Sequence, residues 1–338
     1  KMDLYKEYLI IQSPLNSAEM RTKKLSDFYV ASSFRSCLVK NQRFDYVSSK
    51  MLESVIESGA RFIWLDVFNQ EIQTDTVPIV SNGVDKGNWK YMLNTVSFEE
   101  CVEKIAATAF NPGLINNYGD PLILALNLNV QNNIITLNKI KNILIKHLKT
   151  KLLPSRYGFL NKDIGSVEIQ QLLGKVIIFT SGGYQDSGLT ELINYSWDKP
   201  KLRVVSNNSL ESDVAQVDEV KLDLKEVKDY NSQNMTIVLP DEDTIRTFNY
   251  DPTIAFENGC QFVAMNYLLP DKFMDEYVTK FRESSFILRP KEFLGESSYE
   301  KELNLNKSAV QTTEVSNTSS CPSEPIEFNE YDIDKDSL

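Results

Sequence analysis

The chain has 338 residues, more than one average domain and close to the length of a single β/α barrel with extensions, and 42% of them are apolar, enough for one large core. A formal net charge of −11 excludes a broad nucleic-acid interface, which needs clustered Lys and Arg in excess, and disfavours general attraction to anionic lipid, leaving membrane contact only to a local basic patch. No apolar run approaches the roughly 20 residues that cross a bilayer.

Residues 1–24 read as an N-terminal extension, and residues 1–11 lack the apolar stretch and cleavage site of a secretory signal, so an intracellular setting is expected. The first strand-like run is Phe28 to Ser32. A helical stripe of Met51, Leu52, Val55 and Ile56 follows and stops at Gly59. Further strand-like runs are Arg61 to Val67, Val77 to Val80, Leu122 to Leu128, Lys175 to Thr180, Leu202 to Ser206, Met235 to Leu239 and Gln261 to Tyr267. Between the fourth and fifth of these eight runs, Ile134, Leu137, Ile140, Leu144 and Leu148 form one apolar helical stripe. The alternation predicts a mainly parallel sheet with helical crossovers, either a closed barrel or an open doubly wound sheet. Past residue 295 the composition turns to Ser, Glu, Asn and Asp, which predicts a tail without a core of its own. Cys37, Cys101, Cys260 and Cys321 are far apart in sequence and without CxxC spacing, so reduced buried thiols are expected rather than a zinc site or disulfide framework.

The stretch Phe28-Tyr-Val-Ala-Ser-Ser-Phe-Arg-Ser-Cys37 is similar to a family strand that ends Ala-Ser-Ser-His-Asn-Thr-Tyr. Gly59-Ala-Arg-Phe-Ile-Trp-Leu-Asp66 is similar to Gly-Cys-Arg-Cys-Val-Glu-Leu-Asp. Asp120-Pro-Leu-Ile-Leu-Ala-Leu-Asn127, Leu173-Gly-Lys-Val-Ile-Ile178, Asn249-Tyr-Asp-Pro252 and Gly259-Cys-Gln-Phe-Val-Ala-Met-Asn266 continue in the same order. Together they resemble the X and Y halves of eukaryotic-type phosphoinositide-specific phospholipase C over residues 25–294. The resemblance implies an α/β fold, a distorted TIM-type (β/α)8 barrel with an extended polar C-terminal tail and a site at the C-terminal strand ends. It divides the chain into an X-like half at 25–181, a short connector at 182–188, a Y-like half at 189–295 and an acidic polar tail at 296–338.

The same resemblance places unsuitable side chains at the reaction centre. The family's chemistry, attack of the inositol 2-hydroxyl on the adjacent phosphate, uses two histidines for proton transfer and a calcium ion for charge stabilisation. The histidine positions hold Phe34 and Asn82, neither of which titrates near neutrality. The lone histidine, His147, is expected on the solvent side of its helix. At the calcium positions stand Arg35, Trp64, Asp66 and Asn127, where the family has Asn, Glu, Asp and Glu. An Arg35–Asp66 ion pair is the preferred arrangement, against two separately solvated side chains. Substrate positions are replaced too, with Phe179 and Ser181 where the family has lysines, Ile237 where it has a phosphate-binding Arg, and Leu239 where an aromatic ring stacks on the inositol.

These substitutions predict a pseudoenzyme without a cofactor, kept as a structural or interaction component of a larger assembly. The alternatives are a catalytically silent phosphoinositide- or membrane-binding module and, least favoured, an active phosphodiesterase using relocated residues. An Asn- and Lys-rich chain with this resemblance is compatible with a minor structural protein of a large DNA virus, so the expected location is cytoplasmic or virion. Partner subunits are expected to engage the tail through spaced apolar anchors, among them Leu303, Leu305, Phe328 and Tyr331.

Overall fold

The structure is a computed structural model that describes residues 5–6, 9, 11, 13, 17–39, 45–72, 75–86, 89–211, 221–241 and 248–294. Residues 1–294 and residues 295–338 are separate units. The tail anchors Leu303, Leu305, Phe328 and Tyr331 lie outside the described residues.

In chain order the strands are β1 (Phe28–Val30), β2 (Ser32–Ser33), β3 (Phe62–Ile72), β4 (Asp75–Val80), β5 (Gly83–Lys86), β6 (Trp89–Met92), β7 (Val96–Ser97), β8 (Leu122–Asn129), β9 (Val176–Thr180), β10 (Tyr195–Ser196), β11 (Leu202–Ser206), β12 (Met235–Leu239), β13 (Phe262–Met265) and β14 (Phe286–Leu288). The helices are α1 (Ala18–Arg21), α2 (Ser49–Glu57), α3 (Phe98–Thr108), α4 (Ile134–Leu148), α5 (Leu224–Asn231), α6 (Thr253–Glu257) and α7 (Lys272–Lys280). Eight strands pair in the order β10-β9-β8-β3-β2-β13-β12-β11, all parallel, and form a nearly closed barrel whose seam falls between β10 and β11.

The eight staves are not the eight runs that periodicity picks out. Val77 to Val80 belongs to β4, which folds back antiparallel on the outer half of β3, with Val80 opposite Val67. The missing stave is β10, whose two residues are too short to carry a period. Phe28 to Ser32 divides at Ala31. Its first part, β1, pairs antiparallel with β14 in a separate two-stranded sheet, and only Ser32–Ser33 joins the parallel staves.

Strand alternation creates two cores. Inward-facing Phe62, Trp64, Ile123, Ala125, Ile177, Phe179, Ile237, Phe262 and Ala264 fill the barrel. Their outward neighbours, including Ile63, Leu65, Leu124, Leu126, Ile178 and Val263, pack beneath the helices. The interior is aromatic: Phe62 stacks on Phe262 at 5.0 Å between centroids, and Phe179 meets Phe262 edge-on at 5.6 Å.

Helix ends follow their capping chemistry. Asn133 accepts a hydrogen bond from the Thr136 N–H at 3.0 Å to open α4, and Asp271 accepts one from the Met274 N–H at 2.8 Å to open α7. His147, expected to face solvent, is instead half-buried, with Nε2 2.9 Å from Glu99 Oε1 on α3. The helix-to-helix packing of α3 against α4 captures it, a tertiary contact that no local pattern encodes. Among the described residues no helix is long and apolar enough to cross a membrane.

Candidate functional site

The site is built around Asp66 on β3. Phe62, Trp64 and Asp66 alternate inward along one strand, so Trp64 and Asp66 share a face. Register does the rest, because Asp66 lies directly opposite Asn127 on β8. The loop after β2 closes the third side. Phe34 N–H donates to Met265 O at 2.9 Å, Ser36 N–H to Trp64 O at 3.0 Å, and Trp64 N–H to Ser36 Oγ at 3.2 Å.

Three protein donors converge on the carboxylate of Asp66, which is 4% exposed. Oδ1 accepts from Trp64 Nε1 at 2.8 Å and from Asn127 Nδ2 at 2.9 Å. Oδ2 accepts from Arg35 Nε at 2.7 Å, closing an ion pair whose Arg side chain is 11% exposed. Arg35 sits at φ 43°, a left-handed conformation that non-glycine residues seldom adopt. Its guanidinium carbon also lies 4.9 Å from the Phe34 ring centroid, so charge and ring attraction both hold the strained residue in place.

Aromatic rings pack around Trp64, the residue whose indole donates to the carboxylate. Trp64 and Trp197 are 4.9 Å apart at an interplanar angle of 20°, and Phe34 lies 6.1 Å from Trp64 in a tilted arrangement. Phe34 and Trp64 are both buried. The position after β4 holds Asn82, 2% exposed, and neither amide atom has a hydrogen-bond partner among the described residues. Phe179 is a core ring inside the barrel, between Phe262 and Tyr195. Ser181 accepts from the Leu128 N–H at 2.8 Å and so ties the end of β8 to the loop after β9. Ile237 and Leu239 both face the interior core.

A divalent cation does not fit this donor set. Calcium takes six to eight oxygen ligands, usually with several carboxylates. Here one carboxylate is present, both of its oxygens already accept protein hydrogen bonds, and the nearest charge is a guanidinium. Among the described residues no group of three or more His, Cys, Asp or Glu side chains could hold a metal ion.

The X domain of phosphatidylinositol-specific phospholipase C matches residues 21–181, and its Y domain matches residues 194–292. The chain belongs to the phosphatidylinositol-specific phospholipase C family. Among relatives, the zebrafish (Danio rerio) 1-phosphatidylinositol 4,5-bisphosphate phosphodiesterase delta-3-A is 24% identical, over 81% of this chain and 39% of its own length. The mouse (Mus musculus) inactive phospholipase C-like protein 1 is 23% identical, over 83% of this chain and 28% of its own. The barrel chain thus spans less than two-fifths of either relative. Among solved structures, PLC21 of L. pealei superposes with a TM-score of 0.65 at 18% identity, covering 84% of this chain and 39% of that one. At that identity the superposition speaks for the phospholipase C barrel alone.

Sequence reasoning by family position named Asp66 and its neighbours but did not bring Trp197 to Trp64. Trp197 directly follows β10, where its N–H donates to Thr180 O at 3.1 Å, and a half-buried tryptophan at the seam has no sequence signal that separates it from ordinary packing.

Proposed function

We propose that this chain is a non-catalytic phospholipase C-like barrel that acts as a structural or interaction component of a larger assembly. The observation that carries the reading is the Asp66 carboxylate, both of whose oxygens already accept protein hydrogen bonds, from Arg35, Trp64 and Asn127. Calcium-assisted transfer needs those oxygens free and an acid and base nearby; Phe34 and Asn82 offer neither. The match to a mammalian relative described as inactive is consistent with this reading. Contacts to other subunits are assigned to the 296–338 tail, whose Leu303, Leu305, Phe328 and Tyr331 supply spaced apolar anchors on an otherwise polar strap. A polar, acidic barrel carried by such a strap suits a minor virion component.

Calcium-dependent stability tests the reading at its chemical root. A ligand bound only by the folded state at a hundred times its Kd adds about 2.7 kcal/mol. The melting temperature of the full chain is expected to be the same in millimolar calcium as in chelator. A calcium-dependent rise that Asp66→Asn abolishes would overturn the proposal.

A further inference from the structure

Cys37 and Cys101 stand 64 positions apart in sequence, yet their sulfur atoms are 3.7 Å apart. Cys37 lies in the loop after β2, two residues beyond Arg35, and Cys101 lies on α3. Both are buried in the outer core, at 2% and 0% exposure. The loop is fixed on each side of Cys37: Leu38 N–H donates to Arg35 O, and Ser48 N–H to Cys37 O, each at 2.8 Å. The third described thiol, Cys260, is buried elsewhere, with Asn231 Nδ2 3.4 Å from its sulfur.

We propose that Cys37 and Cys101 are a redox modification site, a thiol pair that a small hydroperoxide converts to an intramolecular disulfide tethering the Arg35 loop to α3. In the first step one sulfur attacks a peroxide oxygen, the O–O bond breaks, and the departing hydroxide takes the thiol proton and leaves as water. In the second, the neighbouring sulfur attacks the resulting sulfenic sulfur, the S–O bond breaks, and the second hydroxide leaves with the second thiol proton as water. Two thiols and one hydrogen peroxide thus give one disulfide and two waters, the sulfurs oxidised and the peroxide oxygens reduced. A disulfide needs its sulfurs about 2.05 Å apart, so about 1.7 Å must close between the loop and the helix.

Burial sets the kinetics. The adjacent Cys101 thiol, then desolvation, with the negative charges of Glu100 and Asp66 adding, holds the Cys37 thiol well above its ordinary range. Little thiolate exists at neutral pH, so the reaction is slow and favours a small uncharged oxidant over bulky disulfides. Once the first sulfur is oxidised, the second is already in place, and the sulfenic acid is captured before it can oxidise further. The same burial shelters the finished disulfide from reductants. Its effect on the site is positional, because a loop tethered at Cys37 holds Arg35 against Asp66.

The test exposes the native full chain to hydrogen peroxide, quenches it, alkylates free thiols under denaturing conditions and maps the peptides. The expected result is a cross-linked peptide joining Cys37 to Cys101, about 2 Da lighter than its two thiol peptides together, while Cys260 remains alkylatable. The oxidised chain should melt several degrees above the reduced one, a difference absent from Cys37→Ala. The proposal is overturned if both cysteines stay alkylatable after Cys321 has been oxidised, if they end as separate sulfinic acids, or if the link joins either to Cys260 or Cys321. The wild-type map decides among these outcomes even if Cys37→Ala does not fold.

Discussion

Asp66→Ala should destabilise the barrel by roughly 3–5 kcal/mol, the cost associated with removing one member of a buried ion pair. Removal of the carboxylate takes the acceptor from Arg35 Nε, Trp64 Nε1 and Asn127 Nδ2 together, at buried or partly buried positions. It also releases Arg35 from one of the contacts holding it at φ 43°. Urea unfolding would show the effect as a lower midpoint at unchanged slope. The double variant Arg35→Met with Asp66→Leu should recover much of the loss, because an apolar pair of similar volume strands no charge. A value for Asp66→Ala within about 0.5 kcal/mol of the parent, the range of ordinary surface substitutions, would mean that the carboxylate is not the hub described here.

The second large effect lies at the opposite end of β3. Arg61 is fully buried, with Nη1 donating to Ala109 O at 2.8 Å at the end of α3 and Nη2 donating to Asn117 O. Arg61→Met keeps the aliphatic stem but takes the guanidinium donor from the buried Ala109 carbonyl, at about 1–3 kcal/mol, and one of two donors from Asn117 O, which keeps the Asp120 N–H at 3.0 Å, so a loss of a few kcal/mol is expected. A pH signature accompanies it. Burial raises the Asp120 carboxyl above its ordinary range, opposed by the Ser13 hydroxyl and by the positive charge of Arg61. With the folded value above the unfolded one, the folded state binds more protons across the window just above the ordinary carboxylate range. Stability therefore falls as pH rises through that window. Without Arg61 the shift grows, so the variant should lose more stability than the parent between acidic and neutral pH. Parallel pH profiles for the two proteins would contradict this account.

The barrel was legible in the sequence because its longer staves carry their own pattern: the runs Arg61 to Val67, Leu122 to Leu128 and Met235 to Leu239 are largely buried and β-rich. What periodicity could not supply was partnership. Val77 to Val80 has the composition of a stave, yet it is the return arm of a hairpin, and Tyr195–Ser196 is a stave with almost no length. Choosing a barrel over an open sheet required the ordered resemblance rather than any alternation of apolar residues. At the site, family position named Phe34, Arg35, Trp64, Asp66, Asn82 and Asn127 from sequence, and of these Arg35, Trp64 and Asn127 bond to Asp66. The donor network on Asp66 was only partly readable: the shared face of Trp64 and Asp66 follows from strand parity, whereas the pairing of Asn127 with Asp66 is a matter of register. The Cys37–Cys101 proximity and the capture of His147 by Glu99 arise from packing between distant segments, and sequence spacing carries no trace of either.

Turnover is the most direct measurement of the central claim. Purified full chain would be incubated with phosphatidylinositol and its phosphorylated forms in vesicles, from chelator to millimolar calcium, with release of the water-soluble headgroup as the readout. No release above the uncatalysed background is expected at any calcium concentration, and the variant Phe34→His with Asn82→His should remain equally silent, since Arg35, Trp64 and Asn127 still occupy the Asp66 carboxylate. Calcium-dependent release by the parent chain, lost in Asp66→Asn while the variant stays folded, would contradict the account.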